Sequence, residues 1–117
     1  MLDNIKSQMR KGMLEYCILE IIRKQEAYAT DILDKLREAD LVVVEGTLYP
    51  ILTRMKNAGL LNYRWQESTS GPPRKYFCIT PEGEELLTGL ETEWQAISTS
   101  IATLMNHEQS TAQSKPI

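Results

Sequence analysis

The sequence predicts a mainly α-helical fold carrying one small β-hairpin, on three observations. From Glu45 to Gly59, Leu48, Ile51, Leu52, Met55 and Ala58 recur at helical spacing, and Gly59 stands where a left-handed residue ends a helix. After Gly59 the period drops to two in Leu61-Asn62-Tyr63-Arg64-Trp65-Gln66-Glu67, and Arg74-Lys75-Tyr76-Phe77-Cys78-Ile79 supplies a second strand beyond a Gly/Pro-rich turn. From Pro81 onward Leu87, Leu90, Trp94, Ile97, Ile101 and Leu104 are spaced 3-4-3-4-3, a heptad seam.

Each element has its own justification. Ile5 to about Lys24 forms the first helix, in which Met9, Met13, Leu14, Cys17, Ile18, Ile21 and Ile22 leave so few polar positions that most of its circumference should be buried. Gln25 to Ala29 connects. Thr30 is expected as the N-cap of the second helix, with Asp31 complementing the dipole and Ile32, Leu33, Leu36 and Ala39 as the apolar stripe. A link from Asp40 to Val44 leads into the third helix, which accepts Pro50 if it falls in the first turn. Ser68 to Pro73 should form the turn of the hairpin. Thr80 caps the last helix with Pro81 at its first position, but Gly83 stands where a capping box would carry Glu. That helix should end near Asn106, before a polar tail at 107–117 expected to be disordered.

Composition narrows the function. The chain has 117 residues, 42% hydrophobic and 25% charged, as expected of one soluble domain. The net charge of −3 argues against a nucleic-acid partner until its distribution is read. Between Thr47 and Tyr76 stand Arg54, Lys56, Arg64, Arg74 and Lys75 against Glu67 alone, whereas Pro81 to Glu108 holds six glutamates and no cation. The single histidine, His107, lies in the expected tail and cannot complete a catalytic triad or a metal cluster, so neither an enzyme nor a cofactor or metal site is expected. Cys17 and Cys78 are too few for a disulfide framework and read as packed thiols of a reducing compartment. Lys6, Arg10 and Lys11 before an apolar run imitate a signal peptide. Glu15 and Glu20 inside that run exclude one, nothing approaches a membrane span, and a cytoplasmic location is expected.

Three helices followed by a basic two-stranded hairpin are the order of a winged helix-turn-helix, here over 1–80, with a dimerisation helix added at 81–106. The third helix then presents Gly46, Pro50, Thr53 and Asn57 outward, flanked by Tyr49 and Lys56 on one side and Thr47 and Arg54 on the other. That face is small, polar and cationic, suited to an anion with donor and acceptor edges such as the DNA major groove. Arg54, Lys56, Arg74 and Lys75 suit phosphates.

Thr47-Leu48-Tyr49-Pro50, Leu52, Ala58-Gly59-Leu60-Leu61, Gly71, Arg74-Lys75-Tyr76-Phe77 and Ile79-Thr80-Pro81-Glu82-Gly83 together resemble the PadR family of bacterial transcriptional regulators. The likeness runs from about Met9 to Leu104, and the single short C-terminal helix is similar to the family's small LmrR-like subfamily. The resemblance implies a homodimeric repressor on double-stranded DNA with a palindromic operator. It places Thr47, Tyr49 and Pro50 at the DNA-facing helix start and Tyr28 among backbone contacts, although a packed connector ring explains Tyr28 equally well. Two departures weaken the wing: Pro72-Pro73 removes a cation, and Cys78 replaces a polar residue.

The heptad seam (Leu87, Leu90, Trp94, Ile97, Ile101, Leu104) is expected to join two subunits, with the first helix as partner. In similar relatives a Trp at the place of Trp94 stacks on flat aromatic effectors; the competing reading is a tryptophan that plugs the dimer. A winged-helix protein-interaction module without DNA binding is the alternative function.

Overall fold

The computed structural model describes the backbone of residues 1–114 and the side chains of residues 1–106. Six elements follow in order: α1 (Leu2–Lys24), α2 (Ala29–Glu38), α3 (Glu45–Asn57), β1 (Leu61–Ser68), β2 (Gly71–Ile79) and α4 (Pro81–Ser114). The chain divides into two compact units, Met1–Leu87 and the remainder of α4 from Thr88 onward.

The first unit is a winged helix. Its core is aliphatic: Ile18, Leu19 and Ile22 of α1 meet Ile32 and Leu36 of α2, Leu48, Leu52 and Met55 of α3, and Leu61 and Phe77 of the hairpin. The expected stripe of α3 is therefore the buried one, except for Ala58, which is the exposed C-cap residue. Gly59 adopts φ 80° as expected, and the Leu60 and Gly59 N–H groups donate to Met55 and Lys56 carbonyls, closing a Schellman motif. Asp40 does the same for α2 at φ 61°, with Leu41 N–H on the Leu36 carbonyl.

Several expectations are corrected. α2 begins two residues early: Tyr28, not Thr30, is its N-cap, and the Asp31 carboxylate reaches back to accept the Tyr28 N–H at 3.0 Å. Pro50 is the sixth residue of α3, beyond the first turn. It withholds a hydrogen bond from the Gly46 carbonyl, which water can supply because both residues are exposed. The hairpin turn is only Thr69-Ser70. Pro72 and Pro73 lie inside β2, tolerated because a two-stranded sheet leaves every strand an open edge. The register runs Leu61↔Ile79 to Gln66↔Arg74, then shifts at Glu67 to pair Ser68 with Gly71. Ala27 adds a single bridge to Phe77, exchanging both N–H···O bonds at 3.1 and 2.8 Å.

α1 is not buried around most of its circumference. Every residue from Met1 to Gly12 is exposed, because the core reaches only its C-terminal half. Thr80 caps α4 as expected: its hydroxyl accepts the Gly83 N–H and donates to the Gly59 carbonyl. Gly83 is required by packing, since a Cβ there would lie 2.2 Å from the Leu60 carbonyl oxygen. Leu87 is 1% exposed and belongs to the core of its own chain, which corrects its assignment to a seam between chains.

In the second unit α4 continues past Asn106 to Ser114, with no Gly or Pro before Pro116 to stop it. The tail expected at 107–117 falls where the side chains, and from Lys115 the backbone, lie outside the described residues.

Candidate nucleic-acid interface

α3 is held by its buried stripe against α2 and β1, so its opposite face is turned to solvent. Gly46, Thr47, Tyr49, Pro50, Thr53, Arg54, Lys56 and Asn57 are all exposed, as the helical spacing requires. A cleft runs along each flank. One flank joins α3 to the hairpin through two adjacent hollows. The first is lined by Tyr49, Thr53, Lys56, Tyr63 and Lys75, the second by Tyr28, Thr30, Tyr49, Trp65, Arg74 and Lys75. The other flank joins Thr47, Pro50 and Arg54 to Ser7, Arg10 and Lys11 of α1 and to the 41–44 link.

Strand alternation sorts the hairpin side chains into two sets. Tyr63, Trp65, Lys75 and Phe77 share one face; Arg64, Arg74 and Tyr76 share the other. On the first, the Lys75 ammonium lies 4.6 Å from the Tyr63 ring centroid and 5.6 Å from that of Trp65, while Lys56 of α3 approaches Tyr63 at 5.8 Å. On the second, the Arg74 guanidinium sits 3.8 Å over the Tyr28 ring, Tyr28 meets Tyr76 edge-on at 4.9 Å, and Arg64 covers Tyr76 at 4.6 Å. Arg64 also reaches Glu26 at 3.1 Å.

These contacts decide which cations stay available. A ring face orients a cation without cancelling its charge, so Arg74, Lys75 and Lys56 remain full positive charges in fixed places. Arg54 is different: it pairs with Glu15 of α1 and its charge is balanced within the domain. Tyr28 is half-buried under Arg74, so its ring packs. Sequence reasoning missed Thr30, Arg10 and Lys11, although their hydroxyl and charges were legible; only the fold brings them beside α3. Of the thiols, Cys17 is half-buried, and burial pushes it above its ordinary pKa, away from reactive thiolate. Cys78 is oriented toward the Asn62 carbonyl at 3.7 Å.

A Schellman turn at Asp40 and the 41–44 link leading into an outward-facing α3, with a cationic hairpin beside it, is the geometry of a DNA reader. The sequence profile of the transcriptional regulator PadR-like family matches residues 18–89, more than half of the chain. The chain belongs to the PadR-like family. Solved structures agree. A PadR-like transcription factor from Bacteroides fragilis is 57% identical with a TM-score of 0.76, the match covering 86% of this chain and 98% of that one. A PadR-like transcriptional regulator from Bacillus cereus is 38% identical with a TM-score of 0.75, over 84% and 96% of the two chains. A PadR family regulator from Eggerthella lenta is 28% identical with a TM-score of 0.81, over 89% and 91%. This PadR-like protein is accordingly a DNA-binding transcriptional regulator and not an enzyme, and its described helices include none long and apolar enough to cross a membrane.

Proposed function

We propose that this PadR-like regulator acts in the bacterial cytoplasm as a homodimeric repressor of a palindromic operator. Each α3 enters a major groove through Thr47, Tyr49, Pro50 and Thr53, and each hairpin lays Arg74 and Lys75 on the neighbouring backbone. The observation that carries this reading is the continuous surface from exposed Tyr49, Thr53 and Lys56 across half-buried Lys75 to exposed Arg74. A dimer seated there excludes other proteins from the same DNA.

Dimerisation is supported by apolar surface that the single chain leaves uncovered. On α4, Trp94 is 42% exposed, Ile97 50%, Ile101 46% and Leu104 73%; Leu90 is half-buried. On α1, Leu2, Ile5 and Met9 are exposed as well. Apolar patches of this kind mark interaction sites. Trp94 is not used by its own chain's core, which leaves its indole to stack on a small planar aromatic effector between subunits. Binding there would change the separation of the two α3 helices and relieve repression.

The test is a hydroxyl-radical footprint on the DNA upstream of the protein's own gene. Two protected half-sites about one turn apart, roughly 34–36 Å, are expected. A planar cationic dye should quench Trp94 emission in a Trp65→Phe background and weaken the footprint. Protection of one half-site, or none, contradicts the dimeric reading; an unquenched Trp94 removes the effector.

A further inference from the structure

A helix with its side chains is about 10–12 Å across, and the major groove is about 12 Å wide. A helix that enters the groove is therefore flanked by phosphates of both strands, one on each rim. On the hairpin side of α3, Lys56, Arg74 and Lys75 face one rim. On the other side α3 itself offers only Arg54, and Glu15 balances that charge. Across the cleft on that side stand Arg10 and Lys11 of α1, with Ser7, facing Thr47, Pro50 and Arg54. Both cations are exposed, and neither forms an ion pair among the described residues. The only acids nearby in sequence are Asp3 and Glu15, the latter engaged with Arg54.

We infer that Arg10 and Lys11 form a second phosphate-binding wall, gripping the strand opposite the one held by the hairpin, so that α3 is clamped from both sides. This rests on the DNA-reading role proposed above for α3. Ser7 adds a hydroxyl donor to the same wall, and the link at 41–44 floors the cleft with apolar side chains. The wall carries affinity rather than sequence choice, since phosphates are the same at every base pair.

The experiment compares the wild-type dimer with Arg10→Gln, Lys11→Gln, the double variant and Arg10→Lys. Binding to the footprinted upstream fragment is measured against salt, with ethylation interference on each strand. Far-UV circular dichroism and the melting curve should be unchanged, because both side chains are exposed. The double variant should lower the log–log salt slope by roughly 0.9 per lost contact, about two per subunit and nearly four for the dimer on both half-sites, while Arg10→Lys retains the slope. Within each half-site interference should disappear on one strand only, and that strand should differ from the one lost there with Arg74→Gln. An unchanged slope, or loss on the same strand as Arg74→Gln, overturns the inference. So does a fall in sedimentation mass, which would assign the wall to an interface between copies. If the wild type itself binds without salt dependence, the DNA-reading role fails first and the wall falls with it.

Discussion

Replacing Gly83 with alanine tests the joint between the DNA-reading half and α4. An added Cβ would lie 2.2 Å from the Leu60 carbonyl oxygen, 2.7 Å from Ile79 Cγ1 and 3.1 Å from the Leu60 carbonyl carbon. Unstrained heavy-atom contacts sit near 3.5–4.0 Å, so the start of α4 must move away by about 1 Å. Two of the three atoms are backbone, and they are held in place: the Leu60 carbonyl accepts the Thr80 N–H at 3.1 Å, and the Thr80 hydroxyl bridges Gly59 and Gly83 at 2.6 and 3.0 Å. The movement therefore costs the overpacking term, about 1–3 kcal/mol, and strains the cap, worth about 1 kcal/mol. For a chain of this size the melting temperature should fall by roughly 5–15 °C. The control is Gly89→Ala. An added Cβ there meets nothing within 4 Å, and Ala is the better helix former by about 0.5–1 kcal/mol. Calorimetry on both variants should move the two melting temperatures in opposite directions. A Gly83→Ala protein that melts with the wild type would refute the close-approach reasoning.

Other outcomes follow from the same geometry. Ile97→Glu with Ile101→Glu should halve the mass seen by analytical ultracentrifugation, and an unchanged dimer would remove α4 from the interface. Tyr28→Phe should keep operator affinity, because the ring alone holds Arg74, whereas Tyr28→Leu should lose the cation–π term of about 0.5–1 kcal/mol; equal losses would give the hydroxyl a DNA contact instead. Tyr49→Ala should weaken operator binding more than binding to random DNA, measured by competition; equal losses would assign Tyr49 to packing or the backbone.

Much of this was readable from the chain because the signals were local. The α3 stripe, the left-handed Gly59 and the Thr80 cap each depend on residues within four positions of one another. The order of three helices and a hairpin followed from changes of hydrophobic period. What was not readable depends on partners distant in sequence. Glu15 and Arg54 lie 39 positions apart, and nothing around either announces that they pair. The Ala27–Phe77 bridge is one residue long, too short to alternate. Gly83 looked like a broken capping box until the Leu60 carbonyl was found where its Cβ would be. Tyr28 displaced Thr30 as the N-cap because the Asp31 carboxylate accepts the Tyr28 N–H, a reach-back the Thr30 reading did not include. The burial expected for α1 failed because apolar content does not say which molecule covers it: residues 1–12 find too few neighbours in their own chain.

The central claim is that the cationic surface around α3 binds operator DNA, and the salt dependence of binding tests it most directly. Fluorescence anisotropy on the upstream fragment, titrated between low and physiological salt, should give a steep linear log–log plot, and Arg74→Ala or Lys56→Ala should each reduce its slope by about one per half-site, roughly two for the dimer. A flat plot, or slopes indifferent to both substitutions, would contradict the account.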